Sequence, residues 1–260
     1  LMSLGRYSQV VDACSRAQVL LERVLPSWGE FFRTTLHMEG AYCAVYLDPR
    51  PETAGRLLES LEPIDLPGTM RFIARSVRGE LELTRGNVRT AALIQRVSLR
   101  YAGNWRSILG SGSQWELYIL SMCLVTDVEL SPDDAVELDA RAVRARATSL
   151  LREILSDPAP RQRDIPTLMA FAAAVGLSAV AAEDVGSDRR AVGGELVATA
   201  LAVGTNQTCR LLSHDYLRSR TERLDARALA QAEERIRSLD RGGLVAHAAD
   251  LAGRLAGEVG

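Results

Sequence analysis

The chain has 260 residues, of which 47% are hydrophobic and 25% are charged, and its 31 basic and 33 acidic residues leave a net charge of -2. Such a chain can bury the core of one large domain or of an elongated array, and its balanced charge creates no field that attracts nucleic acid or an anionic membrane. Every basic residue is Arg, which excludes mechanisms that use a Schiff-base or P-loop lysine.

Aromatic residues are sparse at 5%, and Ala, Leu and Arg are abundant, a composition that favours helices over strands. We attribute the exclusive use of Arg to the codon bias of a GC-rich bacterial genome. The four cysteines are widely spaced and form no C-x-x-C pair, which predicts buried thiols in a reducing, cytoplasmic compartment. The longest apolar run, residues 168–182, is shorter than a membrane span and predicts a buried helix.

The first predicted element is a turn at Leu4-Gly5-Arg6-Tyr7, followed by a helix whose apolar residues recur three and four apart as far as Val24. Only Leu1 to Leu4 precede this turn, so the helix that would pair with it is almost missing. We therefore expect the chain to be a piece of a larger protein.

Helix pairs follow along the chain, separated by Pro, Gly and capping residues. The predicted pairs are 29–46 with 52–61, 70–84 with 88–100, 113–126 with 131–157, and 166–182 with 189–203. A Gly- and Ser-containing loop is predicted over 101–111, and two terminal helices are predicted around 229–239 and 244–255. In the long helix 131–157 the apolar stripe that should face inward begins at Val136.

The spacing of Gly79, Gly86, Val88 and Ala91 resembles the tetratricopeptide repeat, and Gly5, Tyr7 and Val10 match its second half. The resemblance implies an all-α, degenerate tetratricopeptide-like superhelix of antiparallel helix hairpins, an α-solenoid in which each hairpin stacks on its neighbour. We expect a single helical-repeat domain over residues 1–260, with 1–100 closest to the pattern and 101–260 made of degenerate repeats and terminal helices.

Such arrays resemble the repeat regions of large bacterial transcription and signalling regulators, whose nucleotide- and DNA-binding parts lie in other domains. The resemblance implies a non-catalytic domain that binds a protein, a peptide, a small effector or other domains of its parent regulator. From the balanced charge and the shortness of the apolar run we expect no direct contact with nucleic acid and no membrane, and the terminal helix leaves a homo-oligomer open.

The residues themselves suggest no catalytic or metal site. His37 and His247 stand singly in helices, and adjacent side chains in Ser213-His214-Asp215 diverge too far to form a catalytic relay. No glycine-rich nucleotide loop is present. We expect neither enzyme activity nor a cofactor.

If the hairpins stack as in the resembling family, the first helix of each pair lines a concave groove. Arg141 and Arg144, on one side of the long helix, could receive a carboxylate-rich peptide or a phosphate, although such a stripe is also typical of a solvated helix flank. The candidate binding residues are Glu39, Tyr46, Ser76, Glu80, Trp115, Tyr118, Arg141 and Arg144.

Two alternatives stay open. The chain could be a small-molecule sensor in which loops at 101–111 and 205–222 close over an apolar pocket. It could also be an enzyme on a helical scaffold, which would require a buried cluster of titratable groups in a cleft.

Overall fold

The computed structural model describes residues 7–24, 36, 40, 52–59, 68–109, 114–156, 165–183, 185–205 and 210–257. Its helices are α1 (Tyr7–Val24), α2 (Glu52–Glu59), α3 (Gly68–Thr84), α4 (Val88–Leu109), α5 (Gln114–Asp127), α6 (Pro132–Glu137), α7 (Ala140–Leu155), α8 (Ile165–Ala181), α9 (Ser187–Val203), α10 (His214–Ile236) and α11 (Arg241–Gly257). A 3-10 turn, Arg210–Leu212, precedes α10. The described ranges contain no strand, which confirms the all-α prediction.

The chain divides into two compact units, Leu1–Tyr101 and Ala102–Gly260. The superhelical stacking of hairpins and the single domain over residues 1–260 stay predictions.

In the first unit, α3 and α4 form the predicted hairpin. Gly86 has φ of 82°, a left-handed conformation that favours glycine, and the turn closes when Asn87 N donates to Glu82 O at 2.9 Å. Gly79 and Ala91 are both buried, and a Cβ added at Gly79 would lie 2.4 Å from Nε2 of Gln95. Gly79 therefore leaves room for the buried side chain of Gln95 between the two helices.

The core of the second unit is the apolar helix α8, which packs against α5 and α9, while α9 also contacts α10 and α11. All thirteen residues from Leu168 to Val180 are buried, as the apolar run predicts. The backbones of α8 and α9 nearly touch: a Cβ on Gly176 would lie 2.5 Å from the carbonyl oxygen of Gly193. A side chain at this crossing would force the two helices apart.

The prediction of one long helix over 131–157 is wrong. Ser131 and Pro132 begin a helix as expected, and the Ser131 hydroxyl accepts a hydrogen bond from Asp134 N at 3.2 Å. That helix, α6, ends at Glu137, and Asp139 then adopts φ of 52° and caps α7 through Ala142 N. A capping side chain competes with the helix for backbone donors. Here the Asp139 cap starts a new helix, although the apolar periodicity would have allowed one continuous helix.

Because the helix breaks, Val136 does not face inward as predicted, and its side chain is 82% exposed. The later part of the stripe is buried at Val143, Ala147, Leu150 and Ile154.

The two predicted closing loops are also corrected. Residues 101–109 continue α4, since one interior glycine costs a helix only about 1 kcal/mol relative to Ala and need not end it. In the second segment, Ser213 caps α10 by accepting from Tyr216 N, so that Ser213-His214-Asp215 is a helix start. A break in α10 at Asp225 is bridged by an ion pair between Arg218 and Glu233.

Cys14 and Cys123 are buried, whereas Cys43 and Cys209 lie outside the described residues. A search of the described helices finds none whose length and apolar character would suit a membrane span.

Candidate functional site

A cavity of about 510 Å³ lies in the second unit, where the end of α5, the short helix α6, the start of α7 and the end of α8 meet. Its volume is within the range of about 300 to 1,000 Å³ typical of small-molecule sites. The polar side chains in its wall are Asp127, Asp139, Arg141, Arg144, Ser178 and Glu183.

The floor of the cavity is apolar and fixed in the core. Leu124 and Ala182 are 1% and 8% exposed, and the buried Ser178 hydroxyl donates to Val175 O at 2.9 Å within its own helix. With this hydroxyl satisfied, the floor offers an apolar surface to a ligand.

Helix α6, which forms the rim of the cavity, is held less firmly than the floor. Helix α6 contains no buried residue, and its Val136 and Ala135 lie in the cavity wall. Few buried apolar contacts mean low local stability, so α6 can adjust to an occupant at low cost.

The loop before α6 is held by hydrogen bonds from side chains of α10. Glu129 accepts hydrogen bonds from the Tyr216 hydroxyl, at 3.1 Å, and from the Arg220 guanidinium. These contacts tie the loop to α10 and fix the neighbouring wall residues Val128 and Leu130.

Asp139 is the one non-glycine residue with positive φ in the described part of the chain, and it lies in the cavity wall. Its left-handed conformation costs about 1 kcal/mol or more, partly offset by the hydrogen bond from Ala142 N at 3.3 Å. Such conformations concentrate at functional sites, where they set the direction of a side chain.

Arg141 and Arg144, two of the predicted binding residues, both lie in the cavity wall. Sequence reasoning placed them on an anion-binding stripe, but the fold adds the carboxylates of Asp127, Asp139 and Glu183 to the same wall. The wall therefore carries both signs of charge.

The other predicted binding residues are not gathered at this cavity. Ser76 and Glu80 are 0% and 2% exposed, so the structure places them in the interior and not on an open surface, and their binding role stays a prediction. Val77 and Leu81 on α3 are buried as well. The buried face of α3 therefore includes the two positions that the repeat pattern assigns to the groove.

Tyr118 is half-buried on α5, in the second unit. Trp115 lies in the first turn of the same helix, but its side chain is outside the part that the structure describes, as are residues Glu39 and Tyr46. For these residues the binding role stays a prediction.

A separate charged cluster joins three helices of the second unit. Glu195 on α9 accepts from Arg235 on α10 through Nε at 3.1 Å and Nη2 at 2.8 Å, and its second carboxylate oxygen lies 2.8 Å from Nε2 of His247 on α11. Burial of Glu195 raises its pKa, but the hydrogen bonds and positive charges of Arg235 and His247 outweigh that effect and hold the pKa below the ordinary value of 4.5.

Sequence reasoning missed this cluster because it considered His247 only within its own helix. The available signal was Glu195, a carboxylate in an otherwise apolar stretch of α9, since a buried charge requires partners. Both carboxylate oxygens are engaged by neighbouring helices, so the cluster serves to hold the helices together.

Over the described ranges, no group of three or more His, Cys, Asp or Glu side chains is arranged to hold a metal ion. No family model, curated protein or solved structure matches the chain. The class supported by fold and site is thus an all-α protein with a ligand-sized, mixed-charge cavity in its second unit.

Proposed function

We propose that the second unit is a non-catalytic sensor domain that binds a small organic effector in the cavity beside α6, within a cytoplasmic bacterial regulatory protein. The observation that carries the proposal is the cavity itself, with its apolar floor, charged wall and ligand-sized volume. The regulatory context rests on the sequence resemblance and the Arg-only composition.

A confined effector fits the described residues better than a peptide in a concave groove does. Ser76 and Glu80, which the groove would expose, are buried, whereas Arg141 and Arg144 line the cavity. A pocket of this kind orients a ligand by a few polar groups while the apolar floor supplies most of the affinity.

A non-catalytic role is supported by the arrangement of the titratable groups. The Glu195 cluster does not include any residue of the cavity wall, and its hydrogen bonds already occupy both oxygens of the carboxylate. A general base must lie within hydrogen-bond reach of a bound substrate, and Glu195 does not line the cavity.

The proposal is tested by thermal-shift screening of the intact chain against a metabolite library, because a ligand that binds only the folded state raises the melting temperature. Each hit is then titrated against Ala135→Trp, whose indole would fill the cavity, and against Ala230→Trp, at an exposed position on α10. We expect affinity to fall at least about ten-fold in the first variant and to stay unchanged in the second. Equal affinity in both variants would show that the hits do not bind in the cavity.

A protein or peptide partner is the second candidate, and the exposure of Val136 favours it. An apolar side chain 82% exposed at the rim of a cavity could pack against an apolar residue of a partner. Retention of a partner by the parent chain, and its loss in Val136→Asp without loss of small-molecule binding, would favour this candidate.

A further inference from the structure

We infer that the occupant of the cavity is a small molecule with an apolar body and a single cationic group, such as an ammonium or amidinium. This inference rests on the proposed function and specifies its ligand class. It replaces the anionic ligand suggested by the two arginines alone.

The first observation is the charge of the wall. Three carboxylates and two guanidinium groups leave a formal charge of -1. Arg141, Arg144 and Asp127 each already interact with other groups of the chain, so the arginines are engaged before any ligand arrives. An anionic ligand would add to the excess of negative charge, whereas a monocation would neutralise it.

The second observation is the end of α8. A helix C-terminus carries partial negative charge, which a basic residue in the last turn usually compensates. The last turn of α8 contains none, and Glu183 follows shortly after it in the cavity wall. A carboxylate near a helix C-terminus is unfavourable, and a cation bound beside it would relieve the repulsion.

The third observation is Asp139, whose carboxylate is set in the wall by a left-handed backbone conformation. One of its oxygens accepts from Ala142 N. A carboxylate has about four acceptor positions, so it can cap α7 and still accept from an ammonium group. Asp139 and Glu183 are thus the residues we assign to the cation, and Leu124 and Ala182 contribute to the apolar floor beneath it.

The experiment uses three probes with the same phenylbutyl body: 4-phenylbutylamine, 4-phenylbutanol and 5-phenylpentanoate, which are cationic, neutral and anionic at neutral pH. Each is titrated against the intact chain by calorimetry at millimolar concentration. We expect the amine to bind about ten-fold more tightly than the alcohol, and the acid most weakly, because a charge-assisted hydrogen bond is roughly worth that ratio.

Variants then locate the cation. Asp139→Asn keeps a residue that caps helices and tolerates the left-handed conformation, and Glu183→Gln keeps the size of the side chain. The double variant should lose the preference for the amine while binding the alcohol as before. The matched control is Glu153→Gln, an exposed carboxylate of α7 that does not line the cavity, and it should leave all three affinities unchanged.

The outcomes separate the two proposals. Tighter binding of the acid, or equal binding of all three probes with loss in Ala135→Trp, would overturn the cationic ligand and retain the cavity as a binding site. If no probe binds, or if Ala135→Trp binds them all as the unmodified chain does, both proposals fail.

Discussion

The Glu195 cluster and the cavity beside α6 both bring charged side chains from several helices together, but they do so with different results. Around Glu195, each carboxylate oxygen meets a donor from a neighbouring helix, and the helices that carry the cluster pack into the core. Around the cavity, the wall carries one more carboxylate than it has guanidinium groups, and part of the wall is a helix without a buried residue. Around Glu195 the opposite charges hold the fold together, whereas the excess charge beside the cavity is the basis for proposing a binding site there.

The largest effect should come from filling the closest helix crossing. In Gly193→Val, the added side chain would meet the carbonyl oxygen of Gly176 2.7 Å from its Cβ, so α8 and α9 must separate. We expect a loss of about 3 kcal/mol in the free energy of unfolding, measured by urea denaturation.

The matched control is Gly253→Val on α11, where an added Cβ meets no atom within 4 Å. It should leave stability unchanged or slightly higher, since Val favours a helix more than Gly does. Equal losses in both variants would show that the α8–α9 crossing is not the tightest contact of this unit.

The next effect should come from Glu195→Gln, which removes the negative charge that Arg235 and His247 share. We expect a loss of about 1 to 3 kcal/mol at neutral pH, since hydrogen bonds to charged groups are among the stronger ones. Glu234→Gln breaks the exposed pair with Arg237 and should cost less than about 0.5 kcal/mol.

The lowered pKa of Glu195 predicts that the free energy of unfolding depends on pH. Because the folded pKa of Glu195 lies below its ordinary value of 4.5, its contribution to stability is present above that pH and is lost as the pH falls through the folded pKa. Chemical denaturation between about pH 5 and pH 3 should therefore show a smaller acid-induced loss in Glu195→Gln than in the unmodified chain. Identical acid slopes would mean that the Glu195 contacts contribute nothing to folding.

The smallest effect on stability should come from Val136→Ser at the rim of the cavity. The side chain is 82% exposed, so we expect the melting temperature to change by no more than about 1 °C. Binding of 4-phenylbutylamine should nevertheless weaken, because the apolar surface of the wall is reduced. A large drop in melting temperature would show that α6 belongs to the core after all.

Local features of the fold were predictable because neighbouring residues determine them. Ser131 caps α6, Gly86 forms its turn and residues 168–180 form a buried helix, all as their sequence context indicates. The break at Asp139 was not predicted because a single side chain can either continue a polar helix face or cap the next helix.

The candidate site was predictable only in part. Arg141 and Arg144 were chosen from their spacing on one helix, but the carboxylates around them come from residues up to 56 positions apart in the chain. The pairing of Glu195 with His247 likewise spans 52 positions. A periodicity within one helix carries no information about such partners, so the charge balance of the cavity emerges only once the helices are packed.

Hydrogen exchange with and without 4-phenylbutylamine tests most directly whether the cavity beside α6 is a binding site. The amides of residues 133–142 should exchange more slowly with the probe bound, because α6 and the start of α7 have few buried contacts of their own, while those of α9 around Glu195 should not change. Protection confined to α9, α10 or α11, or spread evenly over the second unit, would contradict a binding site at the cavity.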